Sequence, residues 1–123
     1  MGVEVIKTHK DLDVWKYSID LVVEVYQLLK KFPDDEKFGI ISQMKRCAVS
    51  IPSNIAEGAA RSSAKEFSHF LTISLGSLAE LETQIIISER LDFISDDNSK
   101  ILLKNLTTIR KMLLGLKKSL RDN

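Results

Sequence analysis

The chain has one cysteine, two prolines and five glycines in 123 residues, and each scarcity removes a class of protein. Cys47 has no partner for an internal disulfide, so a disulfide-stapled secreted scaffold is excluded and a reducing cytoplasm is expected. So little proline and glycine, beside 44% hydrophobic and 28% charged residues, excludes a linker-rich or disordered chain. One folded domain over residues 1–123 is expected. Long hydrophobic runs are also missing: with His69 counted as chargeable, the longest uncharged stretches, 47–56 and 70–79, are ten residues each, about half of the ~20 that a bilayer crossing needs. No membrane partner is expected. The N-terminus lacks the basic and apolar succession of a secretory signal, and Met1-Gly2 is followed by Ile6 where myristoylation needs Ser or Thr.

Catalytic constellations are equally scarce. The two histidines, His9 and His69, have no second histidine near them, so no metal and no cofactor are expected. Glu80 and Glu82 fall on different sides of a helix and lack a Glu-x-x-His pattern. Phosphate-binding glycine loops and a Gly-x-Ser-x-Gly elbow are absent. Cys47, between Arg46 and Ala48 with no histidine partner, reads as a small buried thiol and not a nucleophile. The sequence points to a protein without catalytic residues.

What is present is helical periodicity. Leu12, Trp15, Ile19, Val22, Tyr26 and Leu29 step by three and four, which predicts a first helix over 12–32, ended by Pro33. A neighbouring row, Leu21, Val25, Leu28 and Phe32, widens its apolar face enough for two contacts. Asp34, Asp35 and Glu36 offer caps for a second helix over 35–57, with the stripe Phe38, Ile41, Met44, Ala48, Ile51 and Ile55. Pro52 falls inside that stripe and predicts a kink or short break, and Gly58 a stop. Ser63 and Glu66 fit a capping box. A third helix over 64–91 carries Phe67, Leu71, Ser74, Leu78, Leu81 and Ile85, thinned at Gly76, Ser77 and Ala79 where tight packing is expected. Ser95 opens a fourth over 96–120 with Leu102, Leu106, Ile109, Leu113, Leu116 and Leu120. Nothing alternates with period two, so the fold expected is an all-α, antiparallel up-down-up-down four-helix bundle.

Charge is balanced overall at +1 but unevenly placed. Residues 100–123 hold Lys100, Lys104, Arg110, Lys111, Lys117, Lys118 and Arg121 against Asp122 alone, a surplus of +6 that leaves −5 on residues 1–99. At ~100° per residue Lys104, Lys111 and Lys118 share one line on the fourth helix, opposite its leucines. Such a stripe suits RNA or DNA phosphates, or an acidic protein surface. A second polar row, Ser50, Asn54, Glu57 and Arg61, runs beside Pro52 and Gly58. It reads as a hydrogen-bonded ladder serving the fold or a subunit contact.

The string Ser50-Ile51-Pro52-Ser53-Asn54-Ile55-Ala56-Glu57-Gly58 with Arg61 resembles the signature of the bacterial four-helix bundle proteins encoded in intervening sequences of 23S ribosomal RNA genes. The match continues through Leu12, Val14 and Trp15, then Phe32-Pro33, Glu36, Phe38-Gly39, Gln43 and Arg46. It resumes at Glu66-Phe67, Phe70-Leu71, Gly76-Ser77-Leu78 and Glu80-Leu81-Glu82-Thr83. Asp92-Phe93 departs from it, since members often have Gly-Tyr there. The resemblance implies a homopentameric ring and a relation to the accessory variability proteins of diversity-generating retroelements, which engage a reverse transcriptase and nucleic acid. Two functions are therefore expected to compete: a non-enzymatic oligomer that binds nucleic acid through the C-terminal helix, and a scaffold for a protein partner such as a polymerase.

Overall fold

A computed structural model describes residues 8–121 of the chain. The readings on Met1, Gly2, Ile6 and Asp122 lie outside the described residues. Four α-helices, α1 (Asp13–Leu29), α2 (Ile40–Ala59), α3 (Ala64–Arg90) and α4 (Asp96–Arg121), are joined by short turns, with no strand among the described residues. Each helix packs on its neighbours in the chain and α1 closes back on α4, so four helices enclose one core. Leu21, Val25, Met44, Ala48, Ile51, Ile55, Leu71, Leu78, Leu81, Ile85, Leu106 and Leu113 are buried in it.

The stripes read on α3 and α4 are the ones that face this core, apart from the half-buried Phe67, Leu116 and Leu120 at helix ends. On α1 the inward row is instead Val14, Ser18, Leu21, Val25 and Leu29. Ser18 can be fully buried because its hydroxyl donates to the Trp15 carbonyl at 2.7 Å, so no polar atom goes unpaired. The helix is therefore turned from the expected stripe, and Ile19, Val23 and Tyr26 are left partly exposed.

The second helix begins at Ile40, five residues later than expected. Asp34–Glu36 forms a separate 3-10 turn, closed by the Glu36 N–H on the Pro33 carbonyl and the Gly39 N–H on the Glu36 carbonyl. Phe38 falls on the turn that follows, at 37–39, and not in the core stripe, and is 91% exposed. Pro52 is buried inside α2, which runs through it without a break to Ala59. Gly58 is not a stop but a close approach: an added Cβ would lie 2.8 Å from the Phe70 Cβ and 2.9 Å from the Phe67 ring. Gly76, where tight packing was expected, has nothing within 4 Å of its Cβ position.

Helix ends follow local chemistry. The Ser63 hydroxyl accepts the Glu66 N–H and donates to the Glu66 carboxylate, and the Ser95 hydroxyl accepts the Asn98 N–H. Beyond α3 the Phe93 N–H bonds the Ser88 carbonyl and the Asp92 N–H that of Glu89, with Asp92 at φ 61°. That pair of bonds is a Schellman closure, which favours glycine at the left-handed position. It gives a physical reason for the Gly-Tyr pattern from which this chain departs. By length and composition α3 could cross a membrane; here its Leu71, Leu78, Leu81 and Ile85 are buried where it packs on α2 and α4.

Candidate nucleic-acid interface

From Asn98 to Arg121, α4 contains no carboxylate, so beyond the reach of Asp96 and Asp97 in its first turn nothing on the helix itself neutralises its lysines. Its leucine row packs inward and, by the same periodicity, Lys104, Thr108, Lys111, Gly115 and Lys118 stand on the outer face, all exposed.

The seven cations read from the sequence do not share one environment. The side chains of Lys104, Lys111, Lys118 and Arg121 are exposed and make no hydrogen bond or ion pair among the described residues. Lys100 is held by Asp96 one turn earlier at 2.9 Å. That hydrogen bond raises the ammonium pKa above the ordinary lysine value and lowers that of the Asp96 carboxyl. Arg110 leans toward α3, where its guanidinium meets the half-buried Glu82 carboxylate at 2.8 Å. It tethers two helices and is less available to a ligand. Lys117 donates to the Thr72 hydroxyl at 2.7 Å, also on α3.

This α3–α4 packing brings in one cation that sequence reading missed. Lys65, in the first turn of α3, lines a cleft with Lys117, Lys118 and Arg121. More than fifty residues separate it from them, and its only local signal is the capping residue Ser63.

The second polar row belongs to the α2–α3 seam. The Ser50 hydroxyl lies 2.6 Å from the Ser77 hydroxyl and donates to the Cys47 carbonyl. Asn54 donates to the Ser50 carbonyl at 2.8 Å, and Ser74 to that of Ile51 at 2.9 Å. Pro52 lacks the N–H that would bond the Ala48 carbonyl, and these hydroxyl and amide donors hold the backbone on either side of it. Glu57 and Arg61 form a separate exposed ion pair at 2.9 Å, with the guanidinium stacked over Phe70. The row is thus two local clusters and not one ladder. Cys47, within the same seam, donates its thiol to the Ser77 carbonyl. Burial first, and then the Glu80 charge, push its pKa up to about 12. At neutral pH it stays a thiol, which is a poor nucleophile. Among the described residues no three His, Cys, Asp or Glu side chains converge in a way that could hold a metal ion.

Comparison with known proteins bears on this arrangement. The model of the 23S rRNA-intervening sequence protein family matches residues 10–115. The chain belongs to this family. A crystal structure of a protein of unknown function from the S23 ribosomal protein family of Bacteroides thetaiotaomicron superposes with a TM-score of 0.79 at 26% identity, over 85% of this chain and 95% of that one. No curated protein matches. The matched span takes in α1, α2 and α3, the α2–α3 seam, and α4 as far as Gly115, together with Lys104 and Lys111. It stops short of Lys117, Lys118 and Arg121.

Proposed function

We propose that this protein is a non-enzymatic, self-associating bundle that binds the phosphate backbone of RNA through the outer face of α4. The observation that supports it is the row Lys104, Lys111 and Lys118, outward on a helix without a carboxylate from residue 98 to 121 and unpaired among the described residues. Cations held on a rigid helix face neutralise phosphates and release counterions, which gives affinity with little sequence preference. No aromatic side chain comes from α4: Phe32 is buried, Phe67 and Phe93 pack on the core, Tyr26 lies on α1 under Lys45, and the exposed Tyr17 of α1 lines a cleft beside Asn105 and Thr108. With one exposed tyrosine at its edge, this face is suited to backbone contact more than to stacking of successive bases.

Self-association is supported by the exposed Ile19, Val23 and Tyr26 on α1, an apolar face that a second copy can cover. A ring, such as the pentamer that the family resemblance implies, would repeat the α4 row at fixed spacing and multiply a weak contact. Ribosomal RNA is the RNA to try first, because the family's own description ties it to 23S rRNA.

The test is a titration of a structured ribosomal RNA fragment with the full chain at about 50 and about 200 mM salt, with native mass followed over the same series. Affinity is expected to fall by an order of magnitude or more as salt rises while the assembly stays intact, since each phosphate contact releases close to one counterion (~0.9). An assembly that comes apart at high salt and binds no RNA at low salt would reject this reading. It would favour the protein scaffold, with the α4 cations set against acidic groups of a neighbour.

A further inference from the structure

At the end of the bundle, the start of α3 and the last turns of α4 enclose a cleft of about 530 Å³. Its size falls within the ~300–1,000 Å³ of small-ligand sites. Lys65 comes from α3 and Lys117, Lys118 and Arg121 from α4, above a floor that includes Leu114 and Leu120. Among the described residues that line it there is no carboxylate. Lys117 donates one hydrogen bond to Thr72 and an ammonium has three to donate, so among the described residues all four cations keep free donors.

We infer that this cleft seats a terminal phosphomonoester of an RNA strand, an assignment that rests on the RNA-binding reading above. Shape and charge both separate it from the outer row, with which it shares Lys118 alone. Lys104 and Lys111 stand on a convex helix face that a continuous backbone can pass over, whereas the cleft admits a group that projects into it. Four cations exceed what one phosphodiester of single charge can neutralise. A terminal phosphate carries about −1.5 to −2 at pH 7 and three strong acceptor oxygens. The Arg121 guanidinium can take two of these side by side, leaving the ammonium groups for the third. The leucine floor suits the apolar faces of the end nucleotide, with no aromatic group to select its base.

The experiment compares a short single-stranded RNA with a 5′- or 3′-phosphate against the same sequence with hydroxyl ends, by fluorescence anisotropy with the full chain at low salt. The phosphorylated strand is expected to bind about tenfold more tightly. Lys65→Ala with Arg121→Ala should erase that ratio, and Lys104→Ala with Lys111→Ala should weaken both strands while preserving it. Equal affinity for the two strands, or a ratio that survives Lys65→Ala with Arg121→Ala, overturns the terminal seat and leaves the backbone reading standing. If neither strand binds, both fall. A nucleoside 5′-monophosphate titrated alone separates an RNA end from a small phosphorylated molecule, since affinity equal to that of the phosphorylated strand would overturn the assignment to RNA.

Discussion

Replacing Lys104, Lys111 and Lys118 together by glutamate is expected to lower RNA affinity by about two to three orders of magnitude at low salt, with the fold retained. Each lysine that neutralises a phosphate contributes a slope of about −0.9 to the dependence of log affinity on log salt. Removing three should flatten that dependence by close to three, and the new carboxylates add repulsion. The fold survives because these side chains are exposed and make no ion pair among the described residues that reversal could break. Exposed substitutions of this kind cost about 0.5 kcal/mol or less each. Lys118 adds a few tenths of a kcal/mol, since an anion opposes the helix field in the last turn. Gel shifts and circular dichroism on the same preparation check both halves, and an unchanged shift would remove α4 from the interface.

Gly58→Val is expected to be the most damaging replacement of a described glycine. Even a methyl group would lie 2.8 Å from the Phe70 Cβ, 2.9 Å from the Phe67 ring and 3.2 Å from the Phe67 carbonyl oxygen. The Phe70 Cβ and the carbonyl belong to the α3 backbone and its first side-chain carbon, so relief requires moving the helix. Overpacking of this kind costs about 1–3 kcal/mol, and alanine recovers up to ~1 of it through helix propensity. Valine adds two more carbons and a stiffer side chain, so a loss of about 3 kcal/mol is expected, seen as a fall in Tm of about 10 °C. Gly76→Ala meets nothing within 4 Å and should raise stability by up to ~1 kcal/mol. Thermal unfolding of the two variants checks the contrast, and a Gly58→Val protein as stable as the parent would show that α2 and α3 do not meet this closely.

Most of the fold was legible because α3 and α4 each carry one dominant apolar stripe, and one stripe leaves one way to pack. α1 carries two, and periodicity does not tell which faces inward; the buried row includes a serine, which its bond to its own helix allows. Phe38 was misplaced because a run of acidic residues reads as a helix start from the sequence. Proline and the following glycine instead make it a separate turn. Glycine had the same ambiguity twice, since neither the close approach at Gly58 nor the open surface at Gly76 can be told from spacing. Of the candidate site, the outer row was legible from its seven-residue spacing alone. The partners of Arg110 and Lys117, and the arrival of Lys65, depend on which helix lies beside α4, and a single helical pattern carries no record of its neighbour.

Gly115 offers the most direct probe of the interface, because it is exposed on the α4 face between Lys111 and Lys118 and its Cβ position has nothing within 4 Å. A photo-crosslinking phenylalanine derivative placed there in the full chain, and another at the exposed Ser53 on α2, can be irradiated with labelled ribosomal RNA at low salt. Crosslinks from position 115 and none from position 53 are the expected result. Crosslinks from position 53 alone, or from neither position while RNA is bound, would contradict an interface on α4.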